Sequence, residues 1–134
     1  MSIHPDTHGR IVKLQKDVEE IKEELEDQWH ERRPAYEERV RKALEGDKNG
    51  TTLYLEIDGV RALAEIERDL KAKGIRIPTM SLWRAAKRLR KHGLTKKEGA
   101  KARSSIYAKK PWAKALDMDS YVRTQILKQE EPTD

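Results

Sequence analysis

Arg84, Lys87, Arg88 and Lys91 follow one another at the intervals that bring side chains onto one face of an α-helix. Cationic groups gathered in this way donate charge-assisted hydrogen bonds to anionic oxygens, arginine as a planar fork and lysine as a point charge. Leu82, Ala85, Ala86 and Leu89 fall almost opposite them, so one face is to be buried and the other is wholly cationic. A solvated helix ordinarily mixes signs, because ion pairs at i,i+4 contribute about 0.2–0.5 kcal/mol each. Residues 79–92 contain no acidic side chain. Like charges at this spacing repel, a cost that a polyanionic partner would relieve.

The same bias extends along the chain. Residues 75–114 hold 13 lysines and arginines against one acidic residue, a net of +12, within a chain whose net charge is +5. The flanks carry the difference: residues 1–33, 34–58, 59–74 and 115–134 sum to −3, −2, +1 and −3. A polyanion is attracted to one face and repelled by others.

With 134 residues, 40% charged and 36% hydrophobic, one domain of ordinary size with a modest core is expected. No cysteine is present, which excludes disulfides and thiolate metal sites. No apolar run approaches the roughly 20 residues of a membrane span, and "MSIHPDTHGR" lacks the apolar centre of a signal peptide. The chain is therefore expected to remain in the cytoplasm, beside the nucleoid, with no membrane partner. An enzyme reading finds little support. His4, Asp6 and His8 stand close together in a leader read as disordered, and the carboxylates of Glu19, Glu20, Glu23, Glu24, Glu26 and Asp27 read as a solvated helix face. There is no glycine-rich phosphate loop, and no catalytic residue, metal, cofactor or small-molecule ligand is expected.

The elements that would hold the cationic face can be read in order. Ile11, Leu14, Val18, Ile21 and Leu25 repeat at intervals of three and four, the seam of a short coiled coil, with Asp17 and Lys22 at flanking positions that attract between parallel strands. These five residues are the expected dimerisation surface. Pro34 should end that helix and open a second, over residues 35–44, burying Tyr36 and Val40. "TTLYLEI" alternates and predicts a short strand with Leu53, Leu55 and Ile57 on one side and Tyr54 on the other. A third helix over 60–73 would align Val60, Leu63, Ile66 and Leu70 and stop at Gly74. Thr79 would cap a fourth, ending at Gly93. "LTKKEGAKARSSIYAKK" reads as a hairpin whose turn holds Gly99, and a last helix from Trp112 is interrupted near residues 117–119. The fold class expected is mainly α with a small β-sheet (α+β). Its segments are a leader and coiled-coil-like helix (1–33), a central domain (34–110), and a C-terminal helix with a tail (111–134).

Helix, strand, helix, turn, helix and basic hairpin, together with "TMSLWRAAKRLRKHGL", is similar to the winged helix-turn-helix superfamily over roughly residues 35–110. That resemblance implies that the fourth helix (79–92) enters the major groove of double-stranded DNA and that the hairpin (94–110) is the wing. Thr79 and Ser81, at the helix N-terminus, would then reach phosphate or base edges. Arg84 and Arg88 suit guanine O6 and N7, while Lys87 and Lys91 suit phosphates. Lys96, Lys97, Lys101 and Arg103 of the wing would meet the backbone. Trp83 lies between the two stripes and is read as partly buried. Three roles are compatible with this reading: a dimeric transcription regulator, an architectural or plasmid-partition-type protein coating DNA with little sequence preference, and a winged helix serving RNA or protein.

Overall fold

The computed structural model describes the backbone of residues 5–127 and the side chains of residues 12–127. His4 and the side chains of Asp6, His8 and Ile11 lie outside that range. The fold is mainly helical with one small antiparallel sheet.

Helix α1 (Pro5–Glu31) runs for 27 residues, about 40 Å at 1.5 Å per residue. Pro34 stands inside the first turn of α2 (Arg33–Leu44), where its missing N–H costs nothing, and its ring cannot lie against the carbonyl of residue 30 in a continuous helix. The chain therefore breaks at Arg32. Helix α2 buries Val40, Ala43 and Leu44, and Tyr36 stacks on Trp112 with ring centroids 4.5 Å apart.

The expected strand at 51–57 is instead the helix α3 (Lys48–Glu56). Asp47 caps it, its Oδ1 accepting from the Gly50 N–H at 3.0 Å, and the Thr51 hydroxyl donates to the Asp47 carbonyl at 2.8 Å. Leu53, Tyr54 and Ile57 are all buried, as positions i, i+1 and i+4 of a helix can be and alternating strand positions cannot. Tyr54, assigned to the outer side of the strand, is completely buried. The residues after Ile57 meet the sheet through the backbone: the Gly59 N–H donates to the Tyr107 carbonyl at 3.1 Å, and Ala62 pairs with Ile106 as an isolated bridge. Gly59 has φ of +78°, and a Cβ there would press on Ala108 at 3.3 Å.

Helix α4 (Leu63–Ala72) buries Leu63, Ile66 and Leu70 as expected. Val60 is not on that stripe. It precedes the helix and is 64% exposed, because the turn that opens at Asp58 delays helical geometry until Leu63. Asp58 Oδ1 accepts from the N–H groups of Val60 and Arg61, both at 2.9 Å, and the Arg61 guanidinium reaches Glu56, Asp58 and Asp69. Gly74, at φ +84°, ends α4.

Helix α5 (Thr79–Lys91) packs on α3 and α4 through Leu82, Ala85, Ala86 and Leu89. Strands β1 (Thr95–Lys101) and β2 (Ser104–Lys109) form the hairpin, with Thr95 opposite Lys109 and Lys101 opposite Ser104. The chain then turns through α6 (Pro111–Ala115), α7 (Met118–Tyr121) and a π-helical segment (Val122–Ile126). The expected interruption falls at Asp117, with φ of +50°. Trp112, Leu116, Met118, Val122 and Ile126 join the same core as α2 to α5. Lys109, almost buried, crosses the Tyr54 ring and pairs with Asp119 at 2.8 Å, tying β2 to α7.

Two consequences can be measured. Burial alone would raise the Asp58 pKa, but the N–H groups of Arg61 and Val60 and the Arg61 guanidinium outweigh it and hold the carboxyl at about 2, below its ordinary 3.8. A folded pKa below the unfolded one stabilises the fold above about pH 4, and this contribution disappears as pH falls toward 2. Asp58→Asn should flatten the acid limb of a urea-stability profile between these values. Arg61→Ala should destabilise by about 1–2 kcal/mol, since it removes the ion-pair partner of Asp69 and leaves Asp58 with its backbone donors and Glu56 with Lys73 alone, and Arg61→Lys should recover only part of this. The Tyr54 hydroxyl is buried with no hydrogen-bond partner among the described residues. Tyr54→Phe should therefore raise stability by up to about 1 kcal/mol, read as a higher urea midpoint at constant m-value.

Candidate nucleic-acid interface

The cationic face depends on how α5 is seated. Leu82, Ala85, Ala86 and Leu89 are each at most 6% exposed, so the rotation of the helix is set, and Arg84, Lys87, Arg88 and Lys91 must point outward together. Among the described residues none of Arg84, Arg88, Arg90 or Lys91 has an ion-pair partner. Lys87 behaves differently: its ammonium sits 3.7 Å from the centroid of the Trp83 ring. Such a contact is worth about 0.5–1 kcal/mol at an exposed site and fixes a side chain that would otherwise sweep freely.

Two walls flank this face. On one side Ser81, Arg84 and Arg88 share a crevice of 290 Å³ with Gly46, Asp47 and Asn49, at the N-terminus of α3. On the other, Met80 and Trp83 share an apolar groove of 430 Å³ with Leu63 and the hairpin turn. Trp83 borders the hairpin turn but is exposed at 42%, not partly buried as expected, because its ring lies under the Lys87 ammonium on the outer side of the helix.

Thr79 is not the helix cap. Pro78 occupies that position, and Thr79 is the first helical residue, its hydroxyl donating to Glu67 Oε1 at 2.6 Å. The hydroxyl is directed at α4, away from the partner the sequence suggested. Ser81 is half-buried at the crevice, beside Arg84 and Arg88.

The hairpin turn also lies elsewhere than expected. Lys101 and Ser104 close a two-residue turn made by Ala102 and Arg103, at φ +46° and +68°. Paired positive φ values are the geometry that matches the twist of a hairpin, and they are ordinarily supplied by Asn or Gly. Gly99 sits within β1 at an irregularity where Glu98 is the additional residue. Of the wing cations, Lys96 pairs with Glu98 at 3.1 Å and Lys101 with Glu65 at 3.3 Å. Both lysines are about half exposed, and such pairs are worth about 0–1 kcal/mol, so an incoming phosphate can displace them. Lys97 and Arg103 have no ion-pair partner among the described residues, and Arg103 stands at the tip.

Several residues of this surface were missed from the sequence. Asn49, in the first turn of α3, lines the crevice beside Arg84 and Arg88; the signal that could have found it is Asp47, a capping residue read as part of a turn. The guanidinium of Arg39 lies over the Tyr36 and Trp112 rings at 5.4 and 5.7 Å and comes close to Gly93, at the end of α5. No spacing in the sequence brings Arg39 to that point.

No protein-family model, curated protein or solved structure matches this chain.

The strain in the turn is measurable. Alanine in left-handed geometry costs about 1 kcal/mol relative to glycine, so Ala102→Gly should stabilise the protein by roughly that amount in urea unfolding. An unchanged midpoint would mean that the turn relaxes out of this geometry in solution.

Proposed function

We propose that this chain is a double-stranded DNA-binding protein of the winged helix-turn-helix class, with α4 and α5 as the helix-turn-helix and the β1–β2 hairpin as the wing. The observation that carries the reading is the α5 surface: a helix with a buried apolar stripe and an opposite face of cations that have no ion-pair partner among the described residues. The strand that precedes the second helix in that class has its counterpart in the segment from Gly59 to Ala62, which touches β2. In this reading α5 lies in the major groove, Arg84 and Arg88 read base edges, Lys87, Lys91 and Lys97 meet phosphates, and Arg103 at the tip follows the backbone or minor groove. The role that fits is transcription regulation by a pair of such domains on a two-fold site.

A protein that neutralises several phosphates loses affinity with salt at about 0.9 in slope per phosphate. Fluorescence anisotropy with a random-sequence duplex of about 30 base pairs, across a salt series, should therefore give a steep negative slope. Replacing Arg84 and Arg88 with alanine should erase preference among selected sequences, at about 1–3 kcal/mol for each guanine no longer read. Replacing Lys97 should weaken all duplexes alike and reduce the salt slope by about 1. Equal effects on cognate and random duplexes from both changes would favour a coating protein with little sequence preference. No binding at low salt, with tighter binding to single-stranded RNA or to none, would remove the DNA reading.

A further inference from the structure

The described residues carry an extended apolar surface on α1. Leu14, Val18, Ile21 and Leu25 are 63, 49, 56 and 40% exposed, in a helix otherwise dominated by charge. At 100° per residue they occupy a sector of about 60°, the width of a two-stranded seam and too narrow for the face of a core helix. So short a seam is marginal by itself. The structure supplies what it lacks.

We propose that α1 pairs in parallel with α1 of a second copy and that α6 completes the seam, Lys114 taking the ion-pair position that Trp29 leaves without a cation. The orientation follows from charge. With Val18 and Leu25 at a and Leu14 and Ile21 at d, Asp17 and Glu24 stand at g and Lys22 and Trp29 at e. In a parallel pair Asp17 of one copy meets Lys22 of the other. In an antiparallel pair that keeps all four apolar layers, Asp17 instead faces Glu24. The next parallel pair would set Glu24 against Trp29. The Trp29 indole, however, is drawn toward α6, where it shares a cavity of 500 Å³ with Lys22, Leu25, Glu26, Pro111, Lys114 and Ala115, and Glu26 does not pair with Lys114 there. That cavity is continuous with the seam through Leu25. Lys114 at its rim is exposed and has no ion pair among the described residues, so its ammonium is available to Glu24 of the second copy. Two parallel helices leave the domains side by side at one end. The pairing itself does not depend on what the α5 face binds.

The chain has no cysteine, so Gln28→Cys, at the next d position, introduces a single thiol without shortening the apolar seam. Oxidation should convert it to a disulfide-linked dimer, because equivalent d positions face each other only in a parallel pair. Failure to cross-link, with a dimer still present in sedimentation equilibrium, would overturn the parallel orientation. A wild-type protein that is monomeric at about 100 μM would overturn the pairing altogether. Lys114→Glu should raise the dimer dissociation constant at least about tenfold, as two symmetry-related contacts reverse sign, and Glu24→Lys combined with Lys114→Glu should bring it back within about threefold. Lys114→Glu without effect, or a double variant no better than the single one, would remove α6 from the interface. Unchanged helical circular dichroism in each variant separates loss of pairing from loss of fold.

Discussion

The burial of one stripe of α5 is the constraint on which the rest of this structure depends. Four side chains, Leu82, Ala85, Ala86 and Leu89, hold a helix whose opposite face is all cations. Like charges at helical spacing oppose the helix by a few tenths of a kcal/mol per pair, whereas burial of each leucine contributes about 1.5–3 kcal/mol. Packing wins by a wide margin, and the electrostatic cost remains as a standing attraction for anions. The two alanines matter as much as the leucines: they let α5 approach α3 closely, and that approach brings Arg84 and Arg88 beside the first turn of α3.

The other elements can be understood as supports for that seating. The Arg61 guanidinium, held by Glu56, Asp58 and Asp69, ties the end of α3 to α4 and fixes the connection that meets β2. Gly74 and Gly93, both at positive φ, stop α4 and α5 where continuing helix would displace the turn or the hairpin. Lys109 joins the hairpin to α7 through Asp119 across the Tyr54 ring, so the C-terminal elements brace the sheet from behind. The Tyr36–Trp112 stack joins α2 to α6 and carries Arg39 over it. Backbone strain is concentrated at Ala102 and Arg103, the hairpin tip, which presents an arginine where a less strained turn would have placed asparagine or glycine.

How much of this was legible depends on whether the deciding interaction was local. The two stripes of α5 follow from 3.6-residue periodicity alone, and the buried set found by pattern is the buried set observed. Three of the four residues expected on the α4 stripe, Leu63, Ile66 and Leu70, are buried while Val60 is not, and the break at Asp117 falls where expected. The segment from Thr51 to Ile57 failed because its composition suits a strand, with threonines, a tyrosine and alternating leucines, and local propensity is a weak prior. A cap at Asp47 and the simultaneous burial of Leu53 and Tyr54 outweighed it. The hairpin was legible and its turn was not, since Gly99 is the residue that turns favour and Ala102 is not.

By itself the sequence determined the composition of the surfaces: which helix is cationic on one face, which carries a narrow apolar seam, and where proline and glycine stop the chain. Those properties are written in residue type and period, which survive in any packing. Tertiary structure alone decided which cations act together. It turned the Thr79 hydroxyl to Glu67, engaged Lys96 and Lys101 with Glu98 and Glu65, set Lys87 over Trp83, and brought Arg39 and Asn49 toward α5 from distant parts of the chain. The physical reason is range: hydrophobic period acts along a few turns of chain, whereas the partner of a charge is whatever the folded backbone places within about 4 Å of it.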